Sequence, residues 1–192
     1  MKKLLFVAAF LMVSVMASAQ MWIGGSMNCM YQKDKDFNNG VFTFGVAPEV
    51  GYGINDKFTV AMAIGYRGQF ASGITSNSFF MQPYARYHIV NFGNAGFFID
   101  GGLEYGLNAY KDDFMNRPAY THHVYVGVWP GFAYAFCDKA VIAARFGFLG
   151  YKYNGTRIDG IYDANAPADT PVNHSFGFDF ANGVSLAVYF NL

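Results

Sequence analysis

The feature that most constrains this chain is the stretch His174–Leu192, where polarity alternates with a period of two. From Phe176 the even positions read Phe176, Phe178, Phe180, Asn182, Val184, Leu186, Val188, Phe190 and Leu192, and the odd ones Gly177, Asp179, Ala181, Gly183, Ser185, Ala187, Tyr189 and Asn191. Only a β-strand sends alternate side chains to opposite faces, so one face is apolar and the other small or polar. A strand of this length fits a bilayer crossing, in which ~9–11 tilted residues span the hydrocarbon and the rest project beyond it.

The same alternation recurs upstream in Met21–Tyr31, Val41–Tyr52, Phe58–Phe70, Ser78–Val90, Gly96–Asn108, His123–Phe136 and Ala140–Tyr153, which predicts eight strands. The seventh is the least regular, since Phe146 and Phe148 share a face by parity while Tyr151 falls with Arg145 and Gly147. No sustained 3.6-residue period appears after residue 19. The intervening loops are Gln32–Gly40, Gly53–Lys57, Ala71–Asn77, Asn91–Ala95, Ala109–His122, Cys137–Lys139 and Asn154–Asn173, alternately long and short. That rhythm predicts an all-β fold, an eight-stranded antiparallel up-and-down barrel with its long loops on one rim and its short turns, with both chain ends, on the other.

Residues 1–19 read separately. Lys2 and Lys3 precede the apolar run Leu4–Met16, which ends in Ala17-Ser18-Ala19, the small-x-small pattern of a secretory signal peptide cleaved after Ala19. Thirteen residues are too few to cross ~30 Å of hydrocarbon, so a membrane anchor is disfavoured. The expected organisation is a signal peptide over 1–19 and a transmembrane barrel over 20–192.

Alternation alone does not say which face is inside. Aromatic residues make up 19% of the chain and charged residues only 14%, a poor match to a water-facing surface. One face of nearly every strand carries Phe, Tyr, Leu, Ile or Met, and the other is rich in Gly, Ala, Ser and Thr. Eight strands enclose a lumen that side chains just fill, so the small face is expected inside and the bulky one toward lipid. Tyr52, Phe58, Tyr87, Phe97, Tyr134, Phe136 and Phe190 fall near the short-turn ends of the bulky face, and Tyr31, Tyr66, Phe70, Phe79 and Tyr105 near the long-loop ends. Two such belts are what membrane–water interfaces select. Pro48, Pro83 and Pro130 interrupt strands on the same face and are expected to form bulges near the short-turn rim.

The inward set contains Glu49, Arg67, Arg86, Asp100, Glu104, Arg145 and Asp179. Unpaired buried charges are costly, so these residues are expected to form an interior network that plugs the lumen, with a channel lining or proton path as the other reading. If the fourth and fifth strands turn about Gly93, Arg86 faces Asp100 and Gln82 faces Glu104.

Other chemistry finds little support. Formal net charge is zero, and −2 once Lys2 and Lys3 are removed, so no basic field attracts nucleic acid. Cys29 and Cys137 lie toward opposite rims, more than ~10 Å apart along the strands, and are expected to be free thiols. His122, His123 and His174 sit near the long-loop rim without metal-ligand spacing and read as solvated histidines, so no metal or cofactor is expected. No phosphate-binding, dinucleotide-binding or Gly-x-Ser-x-Gly motif is present, and His174-Ser175, adjacent on a strand, point to opposite faces. The chain is not expected to be an enzyme.

Three stretches carry a family resemblance: Ala47-Pro48-Glu49-Val50-Gly51-Tyr52-Gly53-Ile54-Asn55-Asp56-Lys57-Phe58, Gln82-Pro83-Tyr84-Ala85-Arg86-Tyr87, and Pro130-Gly131-Phe132-Ala133-Tyr134 with Cys137-Asp138-Lys139. With the aromatic segment Phe176–Phe180, they make residues 20–192 resemble the small eight-stranded outer-membrane β-barrel proteins of Bacteroidetes-type bacteria, of OmpA/OmpX-like architecture. The resemblance implies a Gram-negative outer-membrane location with both termini periplasmic, surrounded by lipid bilayer and lipopolysaccharide. It also implies insertion by the barrel assembly machinery, which reads an aromatic C-terminal signal, here Tyr189, Phe190 and Leu192. The chain departs slightly from that pattern, ending Phe190-Asn191-Leu192 instead of on the aromatic. No catalytic set transfers. The expected role is that of a monomeric structural or surface-interaction protein meeting an extracellular partner at its long loops, above all Asn154–Asn173. The alternatives are a porin-like channel for small solutes or hydrophobic molecules and a lipid-modifying enzyme.

Overall fold

A computed structural model describes residues 20–33, 40–71, 74–112, 117–158 and 172–192; the expected signal peptide lies outside the described residues. Eight strands follow one another: β1 (Gln20–Lys33), β2 (Gly40–Gly53), β3 (Phe58–Ala71), β4 (Ile74–Phe92), β5 (Ala95–Asp112), β6 (Arg117–Cys137), β7 (Ala140–Ile158) and β8 (Val172–Asn191). Each pairs antiparallel with its sequence neighbour, and β1 pairs with β8 to close an up-and-down barrel. Closure gives both edges of the sheet a partner and removes the exposed edge that an open sheet would carry.

The strands outrun their predicted limits on the long-loop side. Pairing continues to Ala71↔Ile74 between β3 and β4 and to Asp112↔Arg117 between β5 and β6, so most of the expected loops Ala71–Asn77 and Ala109–His122 are hairpin. Backbone ladders stay favourable where side chains turn polar, so loss of alternation marks where the apolar band ends, not where the strand ends.

The bulky face points outward. Ile23, Val50, Val60, Leu103, Val126 and Val188 are all exposed, as are the rings of both rows apart from Tyr52 and Tyr66, which are half-buried. Within the rows the rings touch across strands, as in Phe58–Tyr87 at 4.9 Å and Tyr66–Phe79 at 5.2 Å between centroids. Cys29 and Cys137 are free and exposed.

The inner face corrects the expectation of a small-residue lumen. Trp22, Tyr84, Phe98, Phe148 and Tyr189 are buried inside it. They fit because each lies against glycine on the next strand. Trp22 faces Gly51, Tyr84 faces Gly102, Phe98 faces Gly131 and Tyr189 faces Gly24, so a methyl group at any of these glycines would run into the ring or the backbone beside it. The ring covers backbone that glycine leaves bare, and the glycine makes the room that the ring needs.

Two details of register also depart from expectation. Pro48 and Pro83 sit in unshifted register, opposite Gly25 and Met62, and only Pro130 lies at a register shift. A strand residue addresses one neighbour with both its N–H and C=O, so a proline loses a rung on one side and need not bulge. Besides shifts at His88/Val90 and Ala135/Cys137, an irregularity lies in β7 at Gly147, whose φ of 75° is a left-handed conformation suited to glycine. It resets the parity, so Phe148 is buried inside, while Leu149 and Tyr151 point out; the seventh strand's irregular pattern records this bulge.

Candidate functional site

The interior is built in two layers. The lower one, in the short-turn half, starts from the rung Arg86↔Asp100 between β4 and β5. Arg86 donates from Nε to Asp100 Oδ1 at 2.7 Å and from a terminal nitrogen to Oδ2 at 2.9 Å. Arg145 of β7 donates from Nε to the same Oδ2 at 2.6 Å. Its two terminal nitrogens then grip both oxygens of Glu49 on β2, at 3.2 and 3.0 Å. The hydroxyls of Tyr84 and Tyr189 donate to Glu49 Oε2 at 2.6 and 3.2 Å, and Tyr189 in turn accepts from Arg86 at 3.3 Å.

Arg86, Asp100, Arg145, Glu49 and Tyr189 therefore form a closed ring of hydrogen bonds across five strands. All five side chains are buried, as is Tyr84. Two cations meet two anions, so the layer is neutral, and both guanidinium groups make two-pronged contacts with carboxylates, the geometry that holds such pairs best. The Arg86 guanidinium also lies 3.9 Å above the Phe98 ring, and that of Arg145 4.6 Å above Tyr84. These aromatic faces take the place of lost hydration. Trp22 packs at a tilt against Tyr189, with ring centroids 4.3 Å apart, and brings β1 against the layer.

The upper layer is looser. Glu104 Oε1 pairs with His123 Nε2 at 3.1 Å and with Arg67 at 3.8 Å; the Arg67 side chain is 34% exposed and lies over the Phe80 ring. Arg67 and Glu104 thus stand apart from Glu49, Arg86, Asp100 and Arg145, four of the other five charges of the sequence-predicted set. Asp179 is paired in register with Phe148, but its side chain lies outside the described residues. Of the expected assembly signal, Phe190 and Leu192 are exposed on the outer face, whereas Tyr189 is an interior network residue.

Between the layers and above them lies a cavity of about 350 Å³. Arg145, Gln82 and Ala47 lie toward the lower layer. Trp129, Tyr125, Phe148 and Phe80 supply aromatic walls, Arg67, Glu104 and Lys152 bring charge, and Ser26, Asn28, Met30 and Ser185 line it along the β1 and β8 side.

The residues missed from the sequence are Tyr84, Tyr189, Trp22, Phe98 and His123. Parity held the clue for most of them, since Tyr84 alternates in step with Arg86 and Tyr189 with Ser185. The expectation of solvated rim histidines fails for His123, which is only 1% exposed and packs against Gly106. As adjacent strand residues, His122 and His123 point to opposite faces. His122 instead meets the Tyr105 hydroxyl at 3.1 Å, and His174 meets that of Tyr151. Among the described residues, no three metal-ligating side chains converge.

No family model and no curated protein matches the sequence. Among solved structures, the chain is similar to OmpT of Vibrio cholerae, an outer membrane protein folded in vitro, at 12% identity and a TM-score of 0.36 over 92% of this chain and 52% of that one. It is also similar to Neisserial surface protein A, at 15% identity and a TM-score of 0.54 over 90% of this chain and 97% of that one, a likeness that shows the shared small-barrel fold.

Proposed function

We propose that the chain is an integral protein of a Gram-negative outer membrane, of the OmpA/OmpX-like architecture its sequence resembles. In this reading it is a monomer with both termini periplasmic, embedded among lipid and lipopolysaccharide after delivery by the barrel assembly machinery. Its role is structural or surface-interacting, is not enzymatic, and is exercised toward an extracellular partner at the long-loop rim. The observation that carries this reading is the pairing of an apolar, ring-belted outer wall with a neutral, fully hydrogen-bonded lower layer. The wall suits hydrocarbon, and the layer blocks the lumen on the short-turn side.

The cavity above that layer favours a second reading, a small-solute channel, and conductance separates the two. In planar bilayers the mature barrel is expected to be silent, and Arg86→Ala is expected to conduct, because it removes the side chain that joins Asp100 to Tyr189 across the lumen. Steady conductance of the unaltered barrel would overturn the plug and make transport the leading account. The enzyme reading is opposed by the placement of His174, engaged with Tyr151 on the outer face, and Ser175, in register with Lys152. Altered lipid A or phospholipid on overexpression would revive it.

A further inference from the structure

Two polar side chains that line the cavity have no partner of their own. Gln82 is only 6% exposed and Thr43 only 9%, and neither side chain makes a hydrogen bond among the described residues. Ser78 Oγ is the one described side-chain atom wholly enclosed without a partner, so the Gln82 amide and the Thr43 hydroxyl open onto the cavity. A buried polar group without a protein partner costs stability, and such groups persist where water or a ligand satisfies them. Ser26 and Asn28 of β1 bring further neutral hydrogen-bonding groups to the same lining.

The charged residues of the lining differ, because each is already engaged. Arg145 holds Glu49 and Asp100, Glu104 faces His123 and Arg67, and the Lys152 ammonium lies over the Tyr125 and Phe148 rings. The unbonded groups are thus the neutral ones. In a closed barrel of eight strands β2 faces β6 across the lumen, so Thr43 and Trp129 lie on opposite walls. Phe148 meets Trp129 at 49° with centroids 4.9 Å apart, so the two rings form a corner and not a parallel slot. A flat base stacks best between parallel rings. A puckered ring with C–H groups on its face suits a corner, because those groups carry slight positive charge and aromatic faces slight negative charge. At about 350 Å³ the cavity lies at the small end of ligand pockets.

We propose that the cavity binds one neutral sugar ring, free or at the end of a glycan, with a C–H face on Trp129 and its hydroxyls on Gln82 and Thr43. A carboxamide both donates and accepts, and so does a hydroxyl, which matches neighbouring hydroxyls on a pyranose. An ionised ligand would leave its charge unmet by these groups. The lower layer closes the floor, so the sugar enters and leaves from the long-loop end. The site depends on the lumen alone; only the direction of entry rests on the plug reading above, which conductance tests separately.

The mature barrel, refolded in dodecylphosphocholine micelles so that no sugar-headed detergent competes, is titrated with the methyl α-glycosides of glucose, galactose, mannose and N-acetylglucosamine. Calorimetry and tryptophan fluorescence read the binding. Saturation by at least one glycoside is expected, with a fluorescence change that Trp129→Phe abolishes, because the chain's other tryptophan, Trp22, packs on Tyr189 in the layer beneath. Gln82→Leu should weaken binding about tenfold, the loss that one or two neutral hydrogen bonds imply, and Thr43→Val, which keeps the shape, should act in the same direction. Neither variant should lower the urea midpoint of unfolding, since neither removes a bond within the protein and each makes a buried group apolar. That pairing of weaker binding with undiminished stability separates a ligand-binding group from a structural one. A lowered midpoint for Gln82→Leu would show that the protein itself holds the amide and would overturn the assignment. Absence of saturable binding by every glycoside would overturn the site, as would binding that both variants leave unchanged. Glucuronate binding more tightly than methyl glucoside would overturn the neutral ligand. Maltose beside methyl glucoside tells a glycan end from a free sugar, and saturation by either supports the site.

Discussion

The two halves of the barrel share the same strands and the same alternation, yet they are built differently inside. In the short-turn half, all eight seams are paired, four charges neutralise one another and large rings lie on glycines. In the long-loop half, one ion pair is stretched to 3.8 Å and a cavity remains. A narrow barrel can be sealed only where its inward side chains are long enough to meet across the lumen, and Arg86, Arg145, Tyr84 and Tyr189 all lie in the lower layer. Above them Ser26, Asn28, Thr43 and Gly45 are too short to meet, so space is left over.

The largest test of that contrast is Arg145→Ala. It strands Glu49 and Asp100 together without their shared cation, and loss of one partner from a buried pair costs about 3–5 kcal/mol. Urea unfolding of the lipid-inserted barrel should show a loss of that size; a loss below about 1 kcal/mol would mean that the layer is hydrated and the halves are alike.

A second test uses one residue type in both halves. A methyl group at Gly131 would collide with the Phe98 ring and sit 2.8 Å from the Ala144 carbonyl oxygen, whereas one at Gly177 meets no atom within 4 Å. Gly131→Ala should therefore cost about 1–3 kcal/mol by overpacking. Gly177→Ala should change stability by less than about 0.5 kcal/mol, as surface substitutions usually do. Equal effects in the same unfolding assay would remove the packing difference between the halves.

The smallest effect belongs to Arg67→Gln. Its ion pair is long and partly exposed, so the stability change should stay within about 1 kcal/mol. A larger loss would show that the upper layer is as tightly built as the lower.

Much of this architecture was legible from single residues. Period-two runs located all eight strands, because a strand's side-chain period does not depend on what it packs against. The turn assumed about Gly93 placed Arg86 opposite Asp100, and that rung is present, but through a bulge: the hairpin closes at Phe92↔Ala95, and the shift between His88 and Val90 moves the register by one to bring Asp100 opposite Arg86. The candidate site was legible only in part. Parity put Tyr84 and Tyr189 on the inward face, but nothing in the sequence joins Tyr189 to Glu49, residues separated by 140 positions. The expectation that bulky rings cannot fit inside failed because it treated the lumen as a smooth tube. Phe98 fits through the glycine opposite it, a relation that exists only once β5 and β6 are in register.

By itself, then, the sequence determined the strand count, the antiparallel order, the outward apolar face and the identity of most buried charges. All of these follow from alternation, turn residues and the cost of leaving charge unpaired. The tertiary structure decided which charges meet and where the barrel is filled. Those outcomes depend on the relative heights of non-neighbouring strands around the lumen, and these are set by local shifts such as the bulges at Gly147 and between His88 and Val90. A shift of one residue leaves the local pattern readable and changes every partner across the barrel.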